Sequence, residues 1–198
     1  ALVQLELGVF LEPALLSDAV LSDDRIGGIV DTRVNALFGL PMKFEWQGQS
    51  GGVQEESAEV VALQQEIAEW TERNWERMFP AAALKEFARA GLMLNAGLGE
   101  LVWDWTTDGK LLPALKTWHS QFIYWRWDTR SYWLTHADGT LELSPGDGQW
   151  ILSSPNGYEH GWLYALLRRL AKLWIDRVFT LRDYARSSEK FGLGVVMA

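Results

Sequence analysis

The hydrophobic positions of this 198-residue chain follow a helical period, then a strand period, then a helical period again. Ser22-Asp23-Asp24 has the polar chemistry of a helix start, and Ile26, Ile29, Val30, Val34, Leu37 and Phe38 recur on one face after it. Gly39 and Pro41 stop that helix. Lys43 to Gln47 alternates like a short strand, and Gln47 to Gly52 is a Gly/Gln/Ser connection. Ser57 opens a second helix with Val60, Leu63, Ile67, Trp70 and Met78 near one face and Glu and Gln opposite. Pro80 breaks it, and Ala81 to Asn95 forms a third helix with Gly91 inside it.

The period then becomes two. Glu100 to Thr106 alternates, which puts Leu101, Trp103 and Trp105 on one face and marks that face as buried. Asp108-Gly109 is a tight-turn signal. Gln121 to Trp127 reads as a strand, and Ser131 to His136 with Thr140 to Leu143 flank Asp138-Gly139 as a hairpin. Gln149 to Leu152 is one more short strand. Pro155, Asn156, Gly157 and Gly161 make Ser153 to Gly161 a loop.

Trp162 to Phe191 is the longest periodic stretch. Leu163, Leu166, Leu167, Leu170, Leu173, Trp174, Val178, Leu181, Tyr184 and Ala185 share one broad arc of a helix. Arg168, Lys172, Arg182, Arg186 and Lys190 share a narrow stripe roughly opposite, interrupted by Ile175 and Phe179. A stripe facing only water gains nothing from those two apolar residues, so burial against an adjacent subunit, with the bases paired to acids, is the expectation; a DNA contact is the competitor. Gly192 is placed to end the helix. At 1.5 Å per residue the rod is roughly 45 Å long. The predicted class is α+β: N-terminal helices, a small antiparallel β unit and a long C-terminal amphipathic helix.

Composition narrows the function classes. No run of about 18 apolar residues exists to cross a membrane, and Ala1 to Phe10 lacks the basic flank of a signal peptide and carries Glu6. With no cysteine, thiolate metal sites and cysteine nucleophiles are excluded. The net charge of -8 argues against a protein that coats nucleic acid. The charge is uneven: Trp162 to Phe191 holds seven basic and three acidic residues, so the remainder carries -12. Eight of the 12 tryptophans fall between Trp103 and Trp162, as core and interface aromatics or as a stacking surface for sugars or bases.

Catalytic chemistry is not legible. His119, His136 and His160 lack metal-ligand spacing. Glu100 and Asp104 lie among tryptophans, but four residues along one strand separates them by roughly 13 Å, beyond glycosidase carboxyl spacing. Gly97-Leu98-Gly99 precedes a strand and is followed by no Lys-Ser/Thr, so it is not a phosphate loop. No Gly-x-Ser-x-Gly elbow occurs. The alternatives kept open are a tryptophan-rich carbohydrate-binding module and a fragment of a nucleic-acid-processing enzyme.

A resemblance emerges from an ordered series of segments. Asp24-Arg25-Ile26 with Asp31-Thr32-Arg33, closed by Gly39-Leu40-Pro41, is similar to the opening helix of phage portal proteins of the Mu-like branch. Asn95-Ala96-Gly97-Leu98-Gly99-Glu100-Leu101-Val102-Trp103 resembles that family's Gly-x-x-x-Glu-hydrophobic-x-Trp strand, and the aromatic segment His119 to Trp127 follows as in the family. His160-Gly161-Trp162-Leu163, the long helix, Arg182-Asp183-Tyr184-Ala185 and Glu189-Lys190-Phe191-Gly192 resemble its approach to the stem. The family usually has a Pro shortly after the last Gly, where this chain has Leu193-Gly194.

The resemblance implies a non-catalytic structural subunit without cofactor or metal. Such subunits form a ring, usually a dodecamer, at one capsid vertex of the virion, after synthesis in the host cytoplasm. Double-stranded DNA passes through without sequence readout during packaging and ejection. Terminase, head–tail connector and capsid proteins dock on the ring, and no membrane is involved. The division implied is 1–156 as a wing-like region, 157–192 as a stem-like helix, and 193–198 as the start of a further segment. Family members are longer, and this chain begins without Met and stops mid-pattern at Val195-Val196-Met197-Ala198, so it is expected to be an N-terminal portion.

Overall fold

The computed structural model describes residues 1–39 and 58–191. The strand expected at Lys43–Gln47, the connection to Gly52 and the helix end at Gly192 lie outside the described residues. Helices α1 (Leu2–Glu6), α2 (Leu11–Leu21), α3 (Asp24–Phe38), α4 (Ala58–Met78) and α5 (Ala81–Leu94) come first. Strands β1 (Gly97–Trp105), β2 (Leu111–Trp118), β3 (Ile123–Arg126), β4 (Ser131–His136), β5 (Gly139–Glu142) and β6 (Trp150–Ser153) follow, and α6 (Leu166–Phe191) comes last. The α+β class stands. Asp23 caps α3 as its chemistry requires, accepting from the backbone N–H of Arg25 (3.1 Å) and Ile26 (3.2 Å).

The strands form two antiparallel sheets, ordered β2-β1-β6 and β3-β4-β5. They share one core. Phe10, Trp125, Tyr132 and Trp162 meet at its centre, with Trp125 edge-on to Tyr132 at 5.0 Å and Phe10 edge-on to Trp162 at 6.1 Å. Trp162 is wholly buried. Such rings bury large apolar areas in preferred edge-to-face geometry, so this cluster contributes to stability through both burial and ring contacts.

Backbone closeness between α5, β1 and β6 explains the Gly-rich segment. A Cβ on Gly91 would lie 2.2 Å from Ser153 Oγ, and one on Gly97 would lie 2.4 Å from Phe87 O. Gly91 thus sits inside α5 because β6 packs against it, and the cost in helix propensity is offset by that contact. Asn95 ends α5 in the left-handed conformation, fully buried. Its amide donates to Gly157 O (2.9 Å) and accepts from Asn156 N–H (2.7 Å), fastening α5 to the loop that leads to α6.

Several expectations are corrected. β2 was not expected, because Pro113 interrupts any alternation. It pairs with β1 from Trp105 back to Leu98 after the Asp108-Gly109 turn. The strand expected from Gln121 is shortened to β3 by a 3-10 turn at Ser120–Phe122, capped by His119. The long helix starts late: Gly161–Tyr164 is a separate 3-10 turn, and α6 begins at Leu166.

The face of Leu101, Trp103 and Trp105 is not buried. Trp103 is 47% exposed and Trp105 70% exposed. Only Leu98 to Glu100 of β1 is flanked on both edges, by β2 and β6. Further along, β1 and β2 run on as a two-stranded ribbon, and the indole N–H of Trp103 reaches back to Gly148 O (2.7 Å).

Candidate subunit interface

α6 divides into two halves with different surroundings. In its first turns Leu167 and Ala171 are wholly buried, and Leu166, Leu170 and Trp174 pack against the core. This half rests on α2 and α5. Two ion pairs hold it. The Arg168 guanidinium donates to Glu6 at 2.7 Å, and Arg177 donates to both carboxylate oxygens of Asp23. Burial raises the Asp23 pKa, but the N–H of Ile26, the Arg177 guanidinium and the N–H of Arg25 outweigh it, so the carboxyl ends below its ordinary value.

From Val178 to Lys190 every residue is exposed. At 1.5 Å per residue, about 20 Å of helix lies beyond the body of the protein. The apolar arc does not stop with the packing. Leu181 is 55% exposed and Tyr184 73%, on the arc that buries Leu167 and Ala171 further back.

The predicted basic stripe is a real helix face, but its members fare differently. Arg168 is partly buried and spent on Glu6. Lys172, Arg182 and Arg186 are exposed and make no ion pair among the described residues. Lys190 is exposed in the last turn. Ile175 and Phe179, which interrupt the stripe, are exposed as well.

α4 has the same character. Met78 is buried at its C-terminal end, where the helix meets β2, whereas Val60, Val61, Leu63 and Ile67 stay exposed. α4 therefore presents a run of large apolar side chains to water.

The sequence pattern did not single out Arg177 or Asn95 as site residues. Arg177 falls on the apolar arc, and a charge on a packing face requires a partner. That position was the one available signal of the Asp23 ion pair. Nothing in the local pattern of Asn95 announces its two partners 61 and 62 residues away.

The histidines are dispersed. His119 contacts Asp18 (3.1 Å), His136 contacts Asp138 (3.3 Å) and His160 lies against the Trp127 ring. Among the described residues, no group of three or more His, Asp or Glu side chains is placed to hold a metal ion. No described helix is long and apolar enough to cross a membrane.

The geometry first defines a class: a chain with a well-packed aromatic core whose amphipathic helices extend past it with exposed apolar faces. The particular family follows from comparison. The family model for the portal protein of Mu bacteriophage matches residues 14–198, and the chain belongs to that family. Its role is that of a phage portal protein. Comparisons with curated proteins and with solved structures give no significant match.

Proposed function

We propose that this chain builds part of a closed ring of identical subunits, with residues 157–192, which include α6, as the stem-like segment and residues 1–156 as the wing-like region. Double-stranded DNA passes through the ring during packaging and ejection. Terminase, the head–tail connector and capsid proteins dock on it at the capsid vertex of the virion. The subunit contributes architecture rather than catalysis and needs no cofactor.

The observation that carries this proposal is the uncovered outer half of α6 in a chain of the portal family. A closed ring covers such faces by repeating one heterologous contact until the rotation closes. Electrostatics fits passage of DNA. A channel wall that neutralised many phosphates would hold the duplex, whereas a net charge of -8 per chain favours sliding.

Within this proposal Lys172, Arg182, Arg186 and Lys190 belong to the subunit contact, as does the apolar pair Ile175 and Phe179. The test is sedimentation of the intact gene product with electron microscopy of the particles. Rings of many subunits are the expected result, and a monomer at high micromolar concentration overturns the proposal. Duplex binding across several salt concentrations separates the competing use of the stripe. If Arg182→Glu with Arg186→Glu leaves rings intact and removes about one unit of salt slope per lost contact, the stripe touches DNA and not a neighbour.

A further inference from the structure

The partner of the basic stripe can be specified from the charges of the chain itself. Two amphipathic helices leave apolar faces uncovered, and their charges are opposite. α6 carries seven basic and three acidic residues, and its outer half exposes Phe179 between Arg182, Arg186 and Lys172. α4 carries five glutamates and two arginines, and its N-terminal half exposes Leu63 and Ile67 beside Glu59 and Glu66. Glu59 and Glu66 have no ion pair among the described residues, as Lys172, Arg182 and Arg186 have none. Each helix has an exposed apolar strip, and each carries along its edge the countercharge of the other.

Within one chain the two helices do not satisfy each other. α4 is anchored on β2, α6 on α2 and α5, and no extended contact joins α4 to α6 among the described residues. The β1–β2 ribbon tip, with Trp103 and Trp105, holds Asp104, Asp108 and Lys110, a net charge of only -1 against the acidic run of α4.

We infer that the uncovered half of α4 in one subunit docks on the basic face of α6 in the next, with Leu63 and Ile67 against Ile175 and Phe179 and with Glu59 and Glu66 opposite Lys172, Arg182 and Arg186. The occupant of the α6 face is therefore a second copy of this chain. The contact joins two different surfaces, so it is heterologous, and that is the kind of contact that generates rings. Complementary charge would fix which helix meets which and suppress α6 meeting α6, where bases would oppose bases.

This inference rests on the ring proposed above, so the experiment tests the two separately. The intact gene product and three variants are compared by sedimentation velocity over a concentration series: R182E/R186E, E59K/E66K, and all four changes together. All substituted side chains are exposed, so unchanged thermal melting confirms folding. Each two-site reversal should raise the concentration for half-assembly by about tenfold, from exposed pairs turned repulsive. The four-site variant should recover assembly, because the countercharges are restored in exchanged positions. Wild-type rings with either reversal harmless, or with no recovery in the four-site variant, overturn the α4–α6 contact and leave the ring standing. A wild-type protein that never assembles overturns the ring itself.

Discussion

The aromatic centre around Trp162 and the outer half of α6 are both rich in large apolar side chains, yet they differ in everything that follows. Trp162, Tyr132, Phe10 and Trp125 enclose one another and are all buried. Leu181 and Tyr184 have the same helical spacing from Leu167 as core residues would have, and water covers them. One helix holds both conditions, with Leu167 and Leu181 on one arc. Periodicity therefore reports that a face is to be covered. It does not report whether the cover is the same chain or another one.

The comparison breaks first if the centre is not what holds the chain together. Trp162→Ala removes a wholly buried ring that lies against Phe10, Trp125, Trp127, Tyr132 and His160, and a loss of about 3–5 kcal/mol is expected. Denaturant unfolding of wild type and variant measures it. A midpoint shift equivalent to less than about 1 kcal/mol would mean that the stabilising centre lies elsewhere.

Two matched substitutions on α6 sharpen the contrast. Leu167→Ala should cost the isolated chain about 2–5 kcal/mol, since Leu167 is wholly buried. Leu181→Ala, the same chemistry further out on the arc, should change it by no more than about 0.5 kcal/mol and should act on assembly instead. Equal losses in the isolated chain would mean that the outer half of α6 folds back onto the body in solution.

The border between the two halves carries an electrostatic signature. Asp23 has a folded-state pKa below its ordinary value, held there by the N–H of Ile26 and then by Arg177 and the N–H of Arg25, so these contacts contribute stability above the unfolded carboxylate value of about 3.9 and lose it as the pH falls through the folded value. Asp23→Asn keeps an N-cap acceptor for α3 and removes the charge. Melting temperature against pH from 7 to 2 should fall less steeply in this variant. Identical slopes would show that Asp23 does not carry the acid loss, which then falls to other carboxylates, among them Asp128, Asp147 and Glu159, whose pKa values are also lowered.

Much of the fold was legible because its helices and hairpins announce themselves locally. α3 has its cap, β4 and β5 their Asp-Gly turn, and α6 its arc. The stripe of Arg168, Lys172, Arg182, Arg186 and Lys190 was legible as one face for the same reason. What escaped depended on distant residues. β2 was hidden by Pro113 and needed β1 as its partner, and Asn95 acts through Asn156 and Gly157. The exposure of Trp103 was illegible for a different reason. Alternation assigns a side of a strand, but whether a third strand or a helix covers that side is settled by where β6 ends.

The smallest expected effect concerns that ribbon tip. Trp105 is opposite Leu111 at the open end of the β1–β2 pair and is 70% exposed. In a buried position its loss would be as costly as that of Trp162; here Trp105→Ala should change the stability of the isolated chain by no more than about 0.5 kcal/mol. Two outcomes give that near-zero value different meanings. If the tip is covered by a neighbouring subunit, the variant shifts assembly while its melting stays constant, and the ribbon joins α4 and the outer half of α6 as surface finished by another copy. If assembly is unchanged and an immobilised glycan that held the wild type no longer holds the variant, Trp103 and Trp105 form a stacking surface, and the ribbon serves a ligand while the helices serve the ring. Parallel sedimentation and glycan-retention measurements on the one variant separate the two.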